Sequence, residues 1–191
     1  MDVLHVLSTQ VNHSRDLLNF VDLVPAQPSD DVALAQFLVQ TFEQVANSCL
    51  PGGYCMPRAR KIELSATGLR RAQGFVKILK CGHEILGTYS LLPVPHYTEA
   101  WKEELLYLTC FALDPRLHRT QMSDVLWQDI YAQVLGQECT CLGLHVDAHI
   151  HRLIAYYEKK GFERHQEGDC ESSGVAYLAY AKYLDMNNVH V

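Results

Sequence analysis

An α/β fold is what this sequence predicts, and three observations carry the prediction. From Glu104 to Phe162 the chain runs through an apolar strand (ELLYLTCFALDP), a short basic turn and an amphipathic helix. A second apolar strand (TCLGLHVD) and a helix closing on Lys159-Lys160-Gly161-Phe162 follow. Upstream, GFVKIL and EILGTYSLL are joined through Lys80-Cys81-Gly82-His83, a glycine-bearing connector between apolar runs that signals a hairpin. Earlier still, an alternating stretch is followed by a capped amphipathic helix. Strands and helices alternating at these lengths pack as an α/β unit, with the turn after the first strand of the central block facing a ligand.

The totals bound the answer. A chain of 191 residues is expected to form one domain with a substantial core. The formal charge of -6 argues against a nucleic-acid-binding surface as the main business. No apolar run approaches the roughly 18 to 20 residues of a membrane span. MDVLHVLSTQVNHSRDLL lacks the basic head and apolar run of a secretory signal. The seven cysteines are odd in number, scattered and never spaced as C-x-x-C, which predicts reduced thiols in a cytoplasmic protein. Cys139, Cys141 and His145 share a strand face by the two-residue period, but this is not a zinc spacing, and no metal is expected.

In chain order, residues 1–18 read as an extra helix or an arm, and 19–191 as the domain. Asn19 to Ala26 alternates apolar and polar residues and predicts a first strand, stopped by Pro25 and Pro28. Ser29 or Asp30 caps a helix that ends near Asn47, with Val32, Leu34, Ala35, Leu38, Phe42 and Val45 as its buried stripe. A second helix is expected before Ala72, in a segment bearing Arg58, Arg60, Lys61, Arg70 and Arg71. The hairpin comes next, then the central block, whose first helix has the stripe Met122, Val125, Leu126, Ile130 and Val134. Two last strands, Glu163 to Gln166 and Val175 to Leu184, flank an acidic loop with Glu167, Asp169 and Glu171.

The element order and the ending Tyr157-Glu158-Lys159-Lys160-Gly161-Phe162 resemble the GNAT superfamily of acyl-CoA-dependent N-acyltransferases. That resemblance covers about residues 19 to 184 and implies a mixed, mostly antiparallel sheet with helices on both faces. It implies acetyl-CoA or another acyl-CoA as co-substrate, and a small-molecule or peptide amine as acceptor. It leaves a homodimer open.

By the resemblance, the pantetheine arm pairs like an extra strand with Phe111, Ala112 and Leu113, where the fourth strand splays from the fifth. A backbone N–H near Leu113 polarises the thioester oxygen. The pyrophosphate sits at the next helix N-terminus, where backbone N–H groups and the helix dipole favour an anion. The family writes that turn Arg/Gln-x-x-Gly-x-Gly/Ala; here it is His118-Arg119-Thr120-Gln121-Met122-Ser123, a degenerate form in which Gln121 and Ser123 replace the glycines. Arg116, His118 and Arg119 add positive charge, and Asp124 adds negative charge.

Tyr157 matches the tyrosine that protonates the departing thiolate, a role suited to a phenol with a reference pKa of roughly 10. The asparagine often found seven residues earlier is Ile150 here. Candidate bases for the attacking amine are Glu103, Glu104 and His145. The leading expectation is an N-acyltransferase, most simply an N-acetyltransferase. Two alternatives stand beside it: transfer from a long-chain or carrier-protein-bound donor, and a non-catalytic binding module on the same fold.

Overall fold

The structure is a computed structural model that describes residues 20–49, 66–93, 105–118, 120–170 and 175–185. The N-terminal arm, Glu103, Glu104, Arg119 and the basic residues Arg58, Arg60 and Lys61 lie outside them.

Seven strands form one sheet in the order β1-β2-β3-β4-β5-β7-β6, with β1 at Asp22–Pro25, β2 at Phe75–Cys81 and β3 at Glu84–Pro93. The others are β4 at Leu106–Leu113, β5 at Cys141–Asp147, β6 at Glu163–Cys170 and β7 at Val175–Tyr183. Every neighbouring pair is antiparallel except β4 and β5. A parallel pair needs a crossover, and helix α3 (Met122–Gly136) supplies it. Helix α1 spans Asp31–Cys49, a short helix α2 spans 66–73, and α4 spans His151–Lys159.

The helices cover both faces. Leu34 and Leu38 of α1 bury against Val76, Ile78, Ile85 and Ala112 on one face. On the other, Met122, Leu126, Trp127, Ile130 and Val134 of α3 and Tyr157 of α4 join Leu79, Leu91, Leu108, Leu142 and Leu144. Lys77 and Tyr89 on adjacent strands both reach Asp129 of α3, Lys77 at 2.8 Å, which ties that helix to the β2–β3 hairpin. Arg71 of α2 pairs with Asp31 of α1 at 2.8 Å and Arg70 hydrogen-bonds Thr67, so these two cations are structural.

Most elements fall where the pattern puts them, with three corrections. Val32 is 57% exposed rather than part of the α1 stripe, because it stands two residues before the buried Leu34 and so lies about 200° around the helix from it. The 3-10 turn over Pro28–Asp30 is closed by a reciprocal cap between Gln27 and Asp30 rather than by Ser29. β6 continues to Cys170, so Glu167 and Asp169 belong to a strand and not to the acidic loop. The expected strand over Glu163 to Gln166 is present, and the stretch after it has no apolar alternation to announce a continuation; its partner β7 supplies one.

Candidate active site

Two features of β4 create a notch in the sheet. β4 and β5 pair only through Leu106–Leu142, Tyr107–Gly143 and Leu108–Leu144. Beyond that point β4 stays with β3 as far as Leu113 opposite Gly87, while β5 stays with β7 as far as Asp147 opposite Tyr177. Each strand follows its other neighbour, and among the described residues the edge of β4 from Thr109 to Leu113 has no strand partner on the β5 side.

The cause lies in β4 itself. Between Ser90–Thr109 and Thr88–Ala112 the ladder gains one extra residue on β4, a bulge, and Cys110 within it has a φ of 52°. A bulge bends a strand and increases its twist. It also resets the alternation: Leu106 and Leu108 face α3, as do Phe111 and Leu113 after the bulge, whereas Ala112 packs against α1. Phe111, Ala112 and Leu113 therefore sit on the open edge, the positions at which the family resemblance implies pairing with a pantetheine arm.

Aromatic rings close the α3–α4 side of the notch. Phe111 lies 4.9 Å from Trp127 and 6.5 Å from Tyr156, ring centre to ring centre. Tyr157 meets Trp127, Phe162 and Tyr156 edge-on at 6.3, 5.8 and 5.4 Å. Burial, and secondarily the neighbouring Tyr156, push the Tyr157 phenol well above the usual tyrosine range, so it is protonated at neutral pH. Its hydroxyl makes no hydrogen bond among the described residues. The helix carrying it ends at Lys159, and Gly161 just beyond the Lys160 cap has a φ of 84°, the left-handed conformation that stops a helix. The Phe162 N–H then bonds back to the Tyr157 carbonyl at 3.1 Å, which explains the Lys-Lys-Gly-Phe ending.

At the α3 entrance, Gln121 is the cap residue with φ -73° and ψ -1°, an ordinary right-handed conformation. Replacing glycine by Gln121 therefore strains nothing in the backbone. The Thr120 hydroxyl donates to the Leu117 carbonyl at 2.6 Å and accepts the Met122 N–H at 3.3 Å. Met122 is fully buried. The Gln121 and Ser123 amides make no backbone hydrogen bond among the described residues. Asp124 is paired with Lys160 at 2.8 Å, which neutralises the acid beside the entrance. Arg116 is held by Asp114 and, at 2.6 Å, by Glu84, its guanidinium raised by hydrogen bonds to both carboxylates. His118 is exposed. The described residues fit an acyl-CoA in two respects, a strand edge left unpaired among them and an unstrained helix mouth whose Gln121 and Ser123 amides have no backbone partner among them. Among the described residues Lys160 is a cation beside that mouth, through Asp124, whereas Arg116 is engaged by Asp114 and Glu84.

On the opposite face, His145 is the first β5 residue past the last β4–β5 pair. Its Nδ1 is 3.0 Å from the Tyr107 hydroxyl, and its ring lies 4.5 Å from that of Tyr177. Burial lowers its pKa from 6.5 to about 4, so the imidazole is neutral at physiological pH and a weak proton acceptor. Ile150 caps α4 through its carbonyl, which accepts from Leu153 and Ile154. Among the described residues no cluster of three or more His, Cys, Asp or Glu could hold a metal ion, and no helix is long and apolar enough to cross a membrane.

Sequence reasoning missed three residues at the site. Trp127, Tyr107 and Lys160 became visible only through their partners, although Trp127 stands three residues before Ile130 and seven before Val134, on the buried stripe.

Residues 39–162 match the family model described as the acetyltransferase (GNAT) family. No curated protein matches the chain in sequence. Among solved structures, a putative GNAT-family acetyltransferase from Desulfovibrio desulfuricans superposes with a TM-score of 0.65 at 13% identity, covering 86% of this chain and 99% of that one. A GNAT-family acetyltransferase from Staphylococcus aureus gives 0.64 at 15% identity, with coverage of 86% and 99%. FeeM, an N-acyl amino acid synthase from uncultured soil microbes, gives 0.61 at 16% identity, with coverage of 86% and 90%.

Proposed function

The chain belongs to the acetyltransferase (GNAT) family, and from that premise we propose that it moves an acyl group, most simply acetyl, from acyl-CoA to a primary amine. The observation that carries this reading is the parting of β4 from β5 after Leu108 and Leu144. An extended, amide-bearing arm can pair with the exposed strand edge at Phe111, Ala112 and Leu113, as a peptide adds to a sheet.

In this reading the backbone near Leu113 orients the thioester and polarises its oxygen. The Gln121 and Ser123 amides at the positive end of α3, with Thr120, His118 and Lys160 nearby, receive the pyrophosphate. As the amine nitrogen bonds to the carbonyl carbon and the carbon–sulfur bond breaks, the electron pair moves to sulfur and the Tyr157 hydroxyl gives it a proton. The amine's surplus proton leaves to a carboxylate such as Glu103 or Glu104, or through water. His145, enclosed and neutral, suits a positioning task better than proton uptake. The phenol of Tyr157 regains its proton from solvent at turnover. The setting we propose is the cytosol, where the chain's thiols stay reduced.

A second reading, transfer from a longer or carrier-bound acyl group, draws on the likeness to FeeM and on the replacement of glycine by Gln121. Thermal-shift titrations with acetyl-CoA, CoA and a long-chain acyl-CoA separate the two. Stabilisation by the short ligands supports the first, a response to the long chain alone supports the second, and silence from all three favours a non-catalytic module. A thiol-release assay across a panel of amines then tests the reaction; no release above the hydrolytic background with any acceptor contradicts it.

A further inference from the structure

Trp127 is the hub of the ring cluster beside the notch. It is 2% exposed, and its ring touches Phe111 of β4, Tyr131 of its own helix, Tyr157 of α4 and Phe162 beyond that helix. A buried indole N–H needs an acceptor. The Tyr156 hydroxyl oxygen accepts that N–H at 2.6 Å. The same Tyr156 ring stacks over Phe111, 26° from parallel, and meets Tyr157 edge-on.

We infer that Tyr156 is a positioning residue for the Tyr157 phenol, acting through its hydrogen bond to Trp127. The inference rests on the acyl-transfer reading above and deepens it. α4 has only nine residues, too few to hold its shape without tertiary contacts. Its last turn carries the phenol, and a general acid must keep its proton within hydrogen-bond reach of the leaving atom.

Dispersion contacts between rings tolerate sliding, whereas a hydrogen bond of 2.6 Å between an indole and a phenol fixes distance and direction. The Trp127–Tyr156 bond thereby fixes the ring that lies between the open strand tip at Phe111 and the acid at Tyr157. Removing the acceptor oxygen leaves the indole N–H unsatisfied, and the indole then shifts or recruits water. Either response moves the surface on which Tyr157 rests.

The test compares binding of CoA with desulfo-CoA by calorimetry, in the full chain and in Tyr156→Phe. A phenol–sulfur hydrogen bond should make the wild-type chain prefer CoA by roughly five-fold. In Tyr156→Phe the preference should collapse toward one, and kcat with acetyl-CoA should fall while its KM stays within about two-fold. Trp127→Phe removes the same bond from the donor side and serves if Tyr156→Phe does not fold. The double variant should lose no more preference than either single change.

A Tyr156→Phe protein that is folded and keeps the wild-type preference overturns the positioning role and leaves the acyl-transfer reading standing. A wild-type chain that binds neither ligand overturns both.

Discussion

Leu108 and Leu144 are the last residues of β4 and β5 to face each other across the sheet, and one step further the two strands have parted. Leu108 and Leu144 are both buried, so the root of the notch is apolar and firmly packed. The gap is therefore a property of the resting fold, set by the bulge at Cys110 and by the loyalty of each strand to its other neighbour.

The phenol at 157 should matter to chemistry more than to folding. Its hydroxyl has no hydrogen-bond partner among the described residues. Tyr157→Phe keeps the packing against Trp127 and Phe162 and should change stability by less than about 1 kcal/mol. Loss of a general acid should lower kcat by about 100-fold with a modest change in KM for acetyl-CoA. Steady-state kinetics beside a denaturation curve decide it. A donor whose leaving thiol is already acidic should recover part of the lost rate.

The bulge carries backbone strain that can be measured. A φ of 52° at Cys110 is left-handed, which a cysteine tolerates poorly and a β-branched residue tolerates worse. Cys110→Val should cost about 1–2 kcal/mol in urea unfolding, whereas Cys110→Gly should be nearly neutral. Equal losses in both variants would mean that packing of the thiol, not the backbone angle, governs this position.

His145 gives the fold a dependence on acid. Burial lowers its pKa to about 4, against 6.5 when exposed, so between these values the unfolded chain binds more protons than the folded one. Stability from this group is fully present above pH 6.5 and is lost as pH falls toward 4. Allowing for partial solvent screening, the loss should be about 1–2 kcal/mol. His145→Gln should flatten the melting temperature over that window. The pH–rate profile of the native chain should show no inflection from this imidazole between about pH 6 and 8.

Asp124 and Lys160 set the charge at the α3 mouth. Their 2.8 Å pair places a carboxylate beside the amides proposed to hold phosphate. Asp124→Asn should release Lys160 toward the ligand and tighten CoA about 2- to 5-fold, the effect shrinking with salt. Lys160→Gln should weaken CoA by a similar factor. Acetyl-pantetheine, which lacks the phosphates, should be indifferent to both changes.

How far the sequence reaches is clearest at particular residues. Apolar periodicity locates β2 to β5, α1 and α3, since burial on one face leaves a repeat that can be counted. It does not locate the bulge, because Thr109, Cys110 and Phe111 look like any strand interior and the extra residue exists only relative to β3. Nor does it find the second half of β6, from Glu167 to Cys170, an edge held by its neighbour.

The site divides in the same way. Tyr157 and the strand end at Phe111, Ala112 and Leu113 could be named as candidates through the family resemblance that a short motif carries. Lys160 beside Asp124, Tyr107 against His145 and Tyr156 under Trp127 are contacts across 36, 38 and 29 positions of chain, which no local pattern encodes.

Hydrogen exchange at the β4 edge tests the notch most directly. On adding acetyl-CoA, peptides covering residues 109–113 should gain protection of about ten-fold or more in at least one amide, as a strand edge does when it acquires a partner. Peptides covering Leu106 to Leu108, already paired with β5, should change little. Saturating acetyl-CoA that leaves residues 109–113 exchanging as before would contradict the account.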